Sequence, residues 1–297
     1  MPQNITNSMP FEKLIVMGNK GFLGSNLENY LRKTINNIEI IGLGRKDIDL
    51  TSKRESYALC DHFDKKTAVI LISGVKRNEG DSLELFNQNV SMVSNFCEAL
   101  EKTPIAHLVY ISSTAVYGED IDYPCITELT PVHPTSFYGM SKYISERILW
   151  KSLKTASRNL LVLRPPTIYG PGDLADAYGP VKFLNAVMDK KPITLWGDGK
   201  ELREFIYIED MIEILSMLTF SKASGILNIT SGKSYSFLQI IDTIKQSGFN
   251  QVPISSMKRT KNKVNHVFDN SKLLRTLGFY EFTSLKKGLS GLILNRG

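Results

Sequence analysis

Cysteine is scarce in this chain of 297 residues, which contains only three. Cys60, Cys97 and Cys125 lie far apart, and an odd number of separated cysteines provides neither a disulfide framework nor the paired spacing of a zinc site. We therefore predict a cytoplasmic protein without a metal centre.

Long apolar runs are also absent. No stretch approaches the ~20 consecutive apolar residues that are needed to span a bilayer, so we expect no membrane partner. Residues 1–12 are polar and lack the basic segment followed by an apolar segment that marks a signal peptide. We predict a short frayed tail there.

Charge of one sign is not gathered into long runs either. Charged residues make up 22% of the chain and hydrophobic residues 42%, a balance that predicts a folded globule. The net charge of +6 comes from dispersed basic residues, apart from Lys258, Arg259, Lys261 and Lys263. We expect no nucleic-acid partner, because a small polyanion such as a sugar diphosphate needs only a few of these charges.

Apolar segments and helical patterns alternate through the first half of the chain. The run Lys13–Met17 breaks directly into glycine, apolar residues then recur at Leu23, Leu27 and Leu31, and a second run follows at Ile38–Leu43. Strand, glycine turn, helix and strand in this order form the opening unit of a doubly wound sheet.

Three more strands and a long helix are predicted downstream. Short apolar runs occur at Ala68–Ser73, His107–Ser112 and Asn159–Arg164. Between the first two, apolar residues recur every three or four positions over residues 83–100, as in an amphipathic helix. The alternation predicts a parallel sheet with helices on both of its faces.

The pattern loosens beyond residue 165, where proline and glycine cluster. We predict an α/β protein with a doubly wound parallel sheet, a Rossmann fold that binds a dinucleotide, over residues 1–165. A smaller α/β lobe over residues 166–297 is expected to bind substrate mainly, with some of its segments returning to the first domain.

Three glycines follow the first predicted strand and open the first helix. Gly18 permits a tight turn, Gly21 lets the backbone approach a pyrophosphate, and Gly24 lets the helix pack close to the sheet. The exposed N–H groups and the dipole of the helix then favour the phosphates. The loop predicts a dinucleotide site.

The end of the second strand distinguishes NAD from NADP. A carboxylate there binds the ribose 2′-hydroxyl of NAD, whereas a basic residue accommodates the 2′-phosphate of NADP. This chain has Arg45 and Lys46 at that place, and Lys20 in the glycine loop adds a second positive charge. NADP is therefore preferred over NAD, and solvated surface charge is the alternative interpretation of Arg45 and Lys46.

A tyrosine, a lysine and a serine form a candidate catalytic set. Tyr138 and Lys142 are four residues apart and so share one face of a helix. The lysine ammonium favours the phenolate and pulls the tyrosine pKa from ~10 toward neutrality, where it exchanges protons with a substrate hydroxyl. Ser113, at the end of a predicted strand, is placed to bind the same oxygen.

These pieces resemble an extended short-chain dehydrogenase/reductase of the nucleotide-sugar epimerase, dehydratase and reductase group, over essentially the whole chain. The matching motifs are GNKGFLG, the Asp49-Leu50 pair, ISSTAVYG, YGMSK, LRPPTIYGPGD, GDGKELREF and LNITSGKSYS. The resemblance implies an enzyme with Ser113, Tyr138 and Lys142 as its catalytic residues and a nucleotide-sugar as its substrate.

The resemblance also implies binding roles for individual residues. The implied cofactor contacts are Gly18, Lys20, Gly21, Phe22, Leu23, Gly24, Arg45, Asp49, Leu50, Lys76, Asn89, Tyr138, Lys142 and Pro165. Asp49 and Leu50 are expected to flank the adenine, and Lys76 occupies the place of a lysine near the cofactor in sugar 4-epimerases. The implied substrate contacts are Thr114, Thr167 and Arg203, of which Arg203 would bind the diphosphate.

Departures from the family patterns narrow the reaction. The 4,6-dehydratases carry Asp-Glu directly after the catalytic serine or threonine, whereas this chain has Thr114 and Ala115. The glycine loop, the basic strand end and the REF segment also resemble GDP-fucose synthase, which uses NADPH. The epimerisation cysteine of that family would stand at Ala115 and its histidine within Leu174–Pro180, and neither is present. Thr167 replaces the usual asparagine before IYG.

Redox chemistry at one ring carbon, C4, is the reaction that remains. We favour a reductase that uses NADPH to reduce a 4-keto sugar, with Tyr138 as the proton donor. A 4-epimerase with bound NAD is the first alternative, and a noncatalytic dinucleotide sensor is the second.

A homodimer is implied by the resemblance. Many relatives pair the helix that corresponds to residues 83–101 with the helix that starts near Tyr138. The apolar stripes of these helices are equally consistent with ordinary core packing.

Overall fold

The computed structural model describes residues 10–75, 80–154, 159–173, 179–249, 253–259 and 262–294. The greater part of the predicted N-terminal tail, residues 1–9, and the predicted cofactor residue Lys76 lie outside them. The tail prediction is wrong at its C-terminal end, because Phe11 is buried and its ring stacks 5.2 Å from that of Phe220. None of the described helices is long and apolar enough to cross a membrane.

Strands and helices alternate along the described chain. The strands are β1 (Lys13–Met17), β2 (Glu39–Leu43), β3 (Thr67–Leu71), β4 (His107–Ile111), β5 (Asn159–Arg164), β6 (Thr167–Tyr169), β7 (Ile193–Trp196), β8 (Leu202–Tyr207), β9 (Gly225–Asn228), β10 (Ser234–Ser236) and β11 (Ile254–Met257). The helices are α1 (Phe22–Thr34), α2 (Lys53–Ser56), α3 (Leu59–His62), α4 (Leu83–Lys102), α5 (Phe137–Lys154), α6 (Pro180–Met188), α7 (Ile208–Phe220), α8 (Phe237–Gln246), α9 (Ser271–Leu277) and α10 (Leu285–Leu294).

The main sheet has six parallel strands in the order β2-β1-β3-β4-β5-β9. Strand β1 pairs with β2 on one side and β3 on the other, so Ile15 lies opposite both Ile41 and Val69. The chain therefore continues from β1 to β2 toward one edge of the sheet and from β3 to β4 toward the other edge, so the strand order reverses between β1 and β3. In open α/β sheets, ligands bind in the crevice beyond the carboxyl ends of the strands at such a point.

Both faces of the main sheet are covered. Alternate residues of a strand point to opposite faces, so Leu14 and Val16 belong to one apolar cluster and Ile15 and Met17 to the other. Helices α4 and α5 pack along each other on the second face, whereas α1 packs against α7 on the first. The predicted doubly wound α/β fold is confirmed.

Two small sheets follow the fifth strand. Strand β8 pairs antiparallel with β10 and parallel with β6, and β11 pairs parallel with β7. Strand β9 lies in the main sheet beside β5, although it falls in the second half of the chain. The predicted boundary at residue 165 stays a prediction.

Strand ends differ from the predicted ones by one or two residues. The runs Lys13–Met17 and Asn159–Arg164 match the strands, whereas the run Ala68–Ser73 gives a strand that ends at Leu71. A Cβ on Gly18 would lie 3.0 Å from the nitrogen of Ser73. The two segments therefore leave the sheet side by side, and the close approach of the glycine turn accounts for the early end of β3.

Candidate active site

The glycine turn between β1 and α1 has the shape that was predicted. Gly18 has a φ of 89°, which favours glycine, and its N–H donates to the carbonyl of Leu43 at 2.7 Å. A Cβ on Gly24 would overlap the carbonyl oxygen of Gly18, so α1 crosses the turn at a distance that only glycine permits. Gly21, Phe22 and Leu23 bring the chain into the first turn of α1. That turn contains no acidic residue and no side-chain cap.

The end of β2 carries exposed basic side chains. Lys20, Arg45 and Lys46 are all exposed around Gly44, the first residue after the strand. The Nε of Arg45 donates to Oδ2 of Asp49 at 3.0 Å, so two residues that were assigned separate roles form an ion pair. The basic character of this end of the sheet is therefore partly neutralised.

The Asp49-Leu50 pair is held from two directions. Oδ1 of Asp49 accepts hydrogen bonds from the backbone and the hydroxyl of Thr51, at 2.9 and 2.7 Å. Burial raises the pKa of Asp49, but these hydrogen bonds and the neighbouring Arg45 lower it overall. The carbonyl of the buried Leu50 accepts from the amide of Asn95 at 2.8 Å. The pair is thus rigidly placed one loop beyond β2.

Asn89 of α4 reaches the segment after β3. Its Oδ1 accepts from the backbone N–H of Val75 at 2.7 Å, and its Nδ2 donates to Oγ of Ser141 at 3.3 Å. A Cβ on Gly74 would lie 3.4 Å from Oδ1 of Asn89 and 3.5 Å from Nζ of Lys142. The structure therefore brings Asn89 and Lys142 together at the carboxyl end of β3.

Ser113 follows β4 at the carboxyl edge of the same sheet. It precedes the 3₁₀ helix Thr114–Tyr117, and its Oγ accepts from the N–H of Ala115 at 3.1 Å. The N–H of Thr114 donates to the carbonyl of Pro165 at 3.0 Å, which ties this turn to the end of β5. Thr167, two residues further, is exposed at the start of β6.

Tyr138 and Lys142 lie one turn apart near the start of α5. The backbone N–H of Tyr138 donates to Oδ1 of Asp81 at 3.0 Å. Lys142 is 6% exposed, and its Nζ lies 5.9 Å from the centroid of the Tyr138 ring. The same Nζ donates to the carbonyl of Ile111 at 2.9 Å. The prediction that Tyr138 and Lys142 share one face of a helix is confirmed.

The surroundings of Lys142 lower its pKa. Burial lowers the pKa of Lys142 to about 8, and the carboxylate of Glu146 opposes that effect. Around neutral pH the side chain is therefore still mostly an ammonium group, buried under the tyrosine ring. Such a group stabilises negative charge on a nearby oxygen.

A buried ion pair lies behind Lys142 and was not found from the sequence. Nε and Nη2 of Arg164 donate to the two carboxylate oxygens of Glu146, at 2.9 and 2.6 Å. Oγ of Ser112 donates to the same carboxylate at 2.5 Å, and Nη1 of Arg164 donates to the hydroxyl of Tyr117 at 2.9 Å. The position of Glu146, one helical turn after Lys142, was the available signal.

The contacts of Arg164 favour the charged form of its guanidinium group. Burial works against the charged guanidinium, but the hydrogen bonds and the charge of Glu146 raise the pKa of Arg164. The hydroxyl of Tyr117 also donates to Asn228 of β9 at 2.8 Å. The network therefore connects α5 with β4, β5 and β9 directly behind the candidate catalytic residues.

Arg203 of β8 is half-buried in the second half of the chain. Its Nη1 donates to the carbonyls of Leu202 and Val264, and its Nη2 lies 3.6 Å from Oε1 of Glu201. Burial lowers the pKa of Arg203, against the effect of Glu201. Arg259 forms an ion pair with the other oxygen of Glu201, so two guanidinium groups share one carboxylate. In the sequence, only the cluster of basic residues around Arg259 indicated that a second arginine lies near Arg203.

The described site residues thus fall into two groups. The turn around Gly18 and the residues Asn89, Ser113, Tyr138 and Lys142 gather at the carboxyl edge of the main sheet. Arg203 lies in the three-stranded sheet instead, beside Arg259. An edge with a glycine turn at one end and a phenol and an ammonium at the other is suited to holding a dinucleotide and moving a proton.

Comparison with known proteins identifies the family. The model of the NAD dependent epimerase/dehydratase family matches residues 14–230, which is most of the chain. The chain therefore belongs to this family of enzymes, and the predicted family resemblance is confirmed.

Individual relatives perform different reactions. The chain is 26% identical to a putative UDP-glucose 4-epimerase of Methanocaldococcus jannaschii, over 94% of this chain and 97% of the relative. It is 25% identical to a GDP-L-fucose synthase of Sinorhizobium fredii, over 94% and 93%. Among solved structures, the UDP-glucose 4-epimerase of Thermus thermophilus in complex with NAD superposes with a TM-score of 0.83 at 22% identity, over 96% of this chain and 99% of that chain. This last likeness establishes the fold.

Proposed function

We propose that this enzyme is an NADPH-dependent oxidoreductase that reduces a keto group, at C4, on the sugar ring of a nucleotide-sugar. The observation that carries the proposal is the placement of Lys142. Its buried ammonium group lies beneath the ring of Tyr138 and near Asn89, on the sheet edge that the glycine turn also occupies. The relatives named above act on nucleotide-sugars by their printed names.

The glycine turn fits the pyrophosphate of a dinucleotide. Gly21 is exposed, and the first turn of α1 has neither an acidic residue nor a side-chain cap that would compete with a phosphate. The close crossing at Gly24 keeps the helix terminus directed at the carboxyl edge of the sheet. Phosphate binding at such a helix terminus is favoured by the free N–H groups and by the helix dipole.

Proton transfer is assigned to Tyr138. When bound, the nicotinamide group supplies hydride. The hydroxyl of Tyr138 gives its proton to the oxygen of the reduced carbonyl, and the ammonium of Lys142 stabilises the phenolate that is left. The hydroxyl of Ser113 donates a hydrogen bond to the same substrate oxygen. The carbonyl of Ile111 accepts a hydrogen bond from Lys142 and holds it in position, and the amide of Asn89 binds the neighbouring Ser141.

The preference for NADPH rests on charge. Lys20, Arg45 and Lys46 surround Gly44, the position where a carboxylate would bind a ribose 2′-hydroxyl. The carboxylate of Asp47 lies next to Gly44, but it accepts a hydrogen bond from the N–H of Gly44 at 2.7 Å. Arg45 is 79% exposed and bound to Asp49, so it would have to exchange a carboxylate for the 2′-phosphate. The resemblance to GDP-fucose synthase supports the same cofactor.

The diphosphate of the substrate is assigned to Arg203 and Arg259. Both guanidinium groups contact Glu201, and Arg259 also lies 3.9 Å from Asp198, which pairs with Lys263 as well, so three basic side chains share two carboxylates. Two arginines bind a diphosphate with directed, charge-assisted hydrogen bonds. Thr114, at the start of the 3₁₀ helix after β4, and Thr167, exposed at the start of β6, are assigned to the sugar.

A 4-epimerase with bound NAD is the second candidate. The likeness to the epimerase of Methanocaldococcus jannaschii supports it. In that case Tyr138 first accepts the proton of the C4 hydroxyl and later returns it, with no net consumption of cofactor. The same residues serve both reactions, so products must distinguish them.

One screen separates the candidates. The purified chain is incubated with UDP-, GDP-, dTDP- and CDP-sugars, including 4-keto forms, with NADPH or NADH. The proposal predicts stoichiometric loss of NADPH with a 4-keto substrate. Interconversion of two sugars without cofactor loss would establish the epimerase instead, and cofactor binding without turnover of any sugar would establish a noncatalytic sensor.

We further propose that two copies associate through α4 and α5. Phe137, Met140 and Ile144 are exposed apolar residues at spacings of three and four on α5. The exposed Leu83 lies at the start of α4, and α4 packs along α5. Replacement of Ile144 by Glu should produce a monomer in sedimentation, whereas Leu129→Glu, at an exposed loop residue, should not. A wild-type monomer at micromolar concentration would refute the dimer.

A further inference from the structure

Asn19, the residue after Gly18, is held in a single orientation. It is 3% exposed, and its Nδ2 donates to Oε2 of Glu28 at 2.8 Å. A carboxylate only accepts hydrogen bonds, so the amide nitrogen must face Glu28 and the amide oxygen must point away from it. That oxygen, Oδ1, is buried without a hydrogen-bond partner. Buried polar atoms in native structures are nearly always satisfied, so this exception requires an explanation.

The free amide oxygen lies at the end of β2. A Cβ on Gly44 would be 3.1 Å from Oδ1 of Asn19 and 3.0 Å from Cγ of Lys20. Gly44 is the first residue after the strand, where dinucleotide-binding sheets place the ribose of the adenosine half. The unsatisfied acceptor therefore occupies the space that a side chain at the strand end would otherwise fill.

Glu28 fixes the direction of this amide. A Cβ on Gly42 would lie 2.5 and 2.6 Å from the two carboxylate oxygens of Glu28, so the carboxylate is packed against the end of β2. Arg32 donates two hydrogen bonds to Oε1 of Glu28, at 3.1 and 2.7 Å. Burial raises the pKa of Glu28, but the hydrogen bonds from Arg32 and Asn19 and the nearby charges lower it overall. Glu28 is therefore ionised and keeps Asn19 from turning.

We propose that Asn19 is a specificity-determining residue whose Oδ1 accepts a hydrogen bond from a hydroxyl of the adenosine ribose, and that Glu28 is its positioning residue. In the phosphorylated cofactor that hydroxyl is the 3′-hydroxyl. The inference rests on the proposed dinucleotide-dependent function. It explains why Gly42 and Gly44 have no side chains, since the amide and the carboxylate occupy their space.

The chemistry of an amide suits a phosphorylated ribose. The strand end already carries the carboxylate of Asp47, whose Oδ2 accepts a hydrogen bond from the N–H of Gly44 at 2.7 Å. A neutral amide oxygen contacts the ribose without adding to the negative charge beside the 2′-phosphate. Lys20 is exposed, and its Cγ lies 3.0 Å from the same Cβ position on Gly44, which places a positive charge on this side of the strand end.

Cofactor binding tests the proposal without turnover. Dissociation constants are measured by calorimetry for NADPH, for NADH and for 2′,5′-ADP, the adenosine half of NADPH. Asn19→Leu removes the acceptor while keeping the branching of the side chain and should weaken all three ligands about 3- to 10-fold, as expected for one lost hydrogen bond. Wild-type protein should bind the 3′-deoxy analogue of 2′,5′-ADP more weakly than the parent compound, whereas Asn19→Leu should bind both equally.

Charge and orientation variants sharpen the test. Asn19→Asp should weaken NADPH more than NADH, while Asn29→Asp, the same change at an exposed position of α1, should alter neither. Glu28→Gln should weaken cofactor binding in the wild-type background but not in the Asn19→Leu background, because only an oriented amide depends on Glu28.

Two results would overturn the inference. If Asn19→Leu lowers the melting temperature but leaves every dissociation constant unchanged, Asn19 is only a structural partner of Glu28. If the wild-type protein binds neither NADPH nor NADH, the proposed function fails and this inference fails with it.

Discussion

At the proposed nicotinamide end of the cleft the ion pairing is buried, whereas at the proposed adenosine end it is exposed. Arg164 and Glu146 are 2% and 1% exposed and share two hydrogen bonds. Arg45 and Asp49 share one hydrogen bond, and Arg45 is largely in solvent. A broken buried pair leaves an uncompensated charge, whereas an exposed one is solvated and screened. Changes at the first end should therefore affect folding and catalysis, whereas changes at the second should affect how the cofactor is bound.

Loss of the Tyr138 hydroxyl should have the largest effect. Tyr138→Phe should reduce kcat about 10²- to 10⁴-fold, because the proton donor is lost, while the dissociation constant of NADPH stays nearly unchanged. Steady-state kinetics and calorimetry measure the two quantities. Tyr143→Phe, on the same helix, is the matched control and should retain activity. Full activity in Tyr138→Phe would remove this residue from the mechanism.

Breaking the buried ion pair should reduce stability strongly. Glu146→Gln leaves the guanidinium of Arg164 uncompensated and should lower the free energy of unfolding by about 3–5 kcal/mol. Urea denaturation measures the change. Asp189→Asn breaks the exposed contact with Lys191 at 2.9 Å and should leave stability unchanged. Equal effects of the two substitutions would contradict the contrast between buried and exposed ion pairs.

The buried ammonium of Lys142 should make stability depend on pH. Its pKa is about 8 in the folded protein and about 10.4 when unfolded, so the unfolded chain binds more protons between these values. Below about pH 8 the buried ammonium lowers the free energy of unfolding by on the order of 3 kcal/mol. This cost disappears as pH rises from about 8 to about 10.4, so the protein becomes more stable over that range. Lys142→Met should be more stable than wild type at pH 7, with a difference that shrinks toward pH 10. A difference that grows with pH would show that burial does not govern this lysine.

Substitution of Arg45 should have the smallest effect and change only the cofactor preference. Arg45→Ala should weaken NADPH about 10-fold, which is the low end for a charge-assisted hydrogen bond because the side chain is exposed. NADH binding should not change. Arg54→Ala, at another exposed position, is the control. Equal weakening of NADPH and NADH would refute the role of Arg45 at the 2′-phosphate, and no weakening of either would assign it to surface solvation.

Local spacing predicted the fold and part of the site. The run Lys13–Met17, the glycine turn that follows it and the pair Tyr138 and Lys142 depend on residues close in sequence, and the structure has them as expected. Apolar runs overestimated the length of β3, because the end of that strand is set by the close approach of Gly18.

Contacts between distant segments could not be predicted in the same way. Arg164 follows Glu146 by eighteen positions, and only the folded sheet shows that they meet behind Lys142. No sequence pattern marks Asn19, because its partner on α1 and its free oxygen are properties of the folded turn. The predicted role of Arg45 likewise did not include its pairing with Asp49.

Transfer of labelled hydride tests the central claim most directly. NADPH that carries deuterium at the transferable position of the nicotinamide is mixed with 4-keto nucleotide-sugars, and the sugar product is examined by mass spectrometry and NMR. We expect one deuterium at the reduced ring carbon with the wild-type protein and a rate about 10²- to 10⁴-fold lower with Tyr138→Phe. A wild-type protein that binds NADPH but transfers no deuterium to any of these sugars would contradict the proposed reductase.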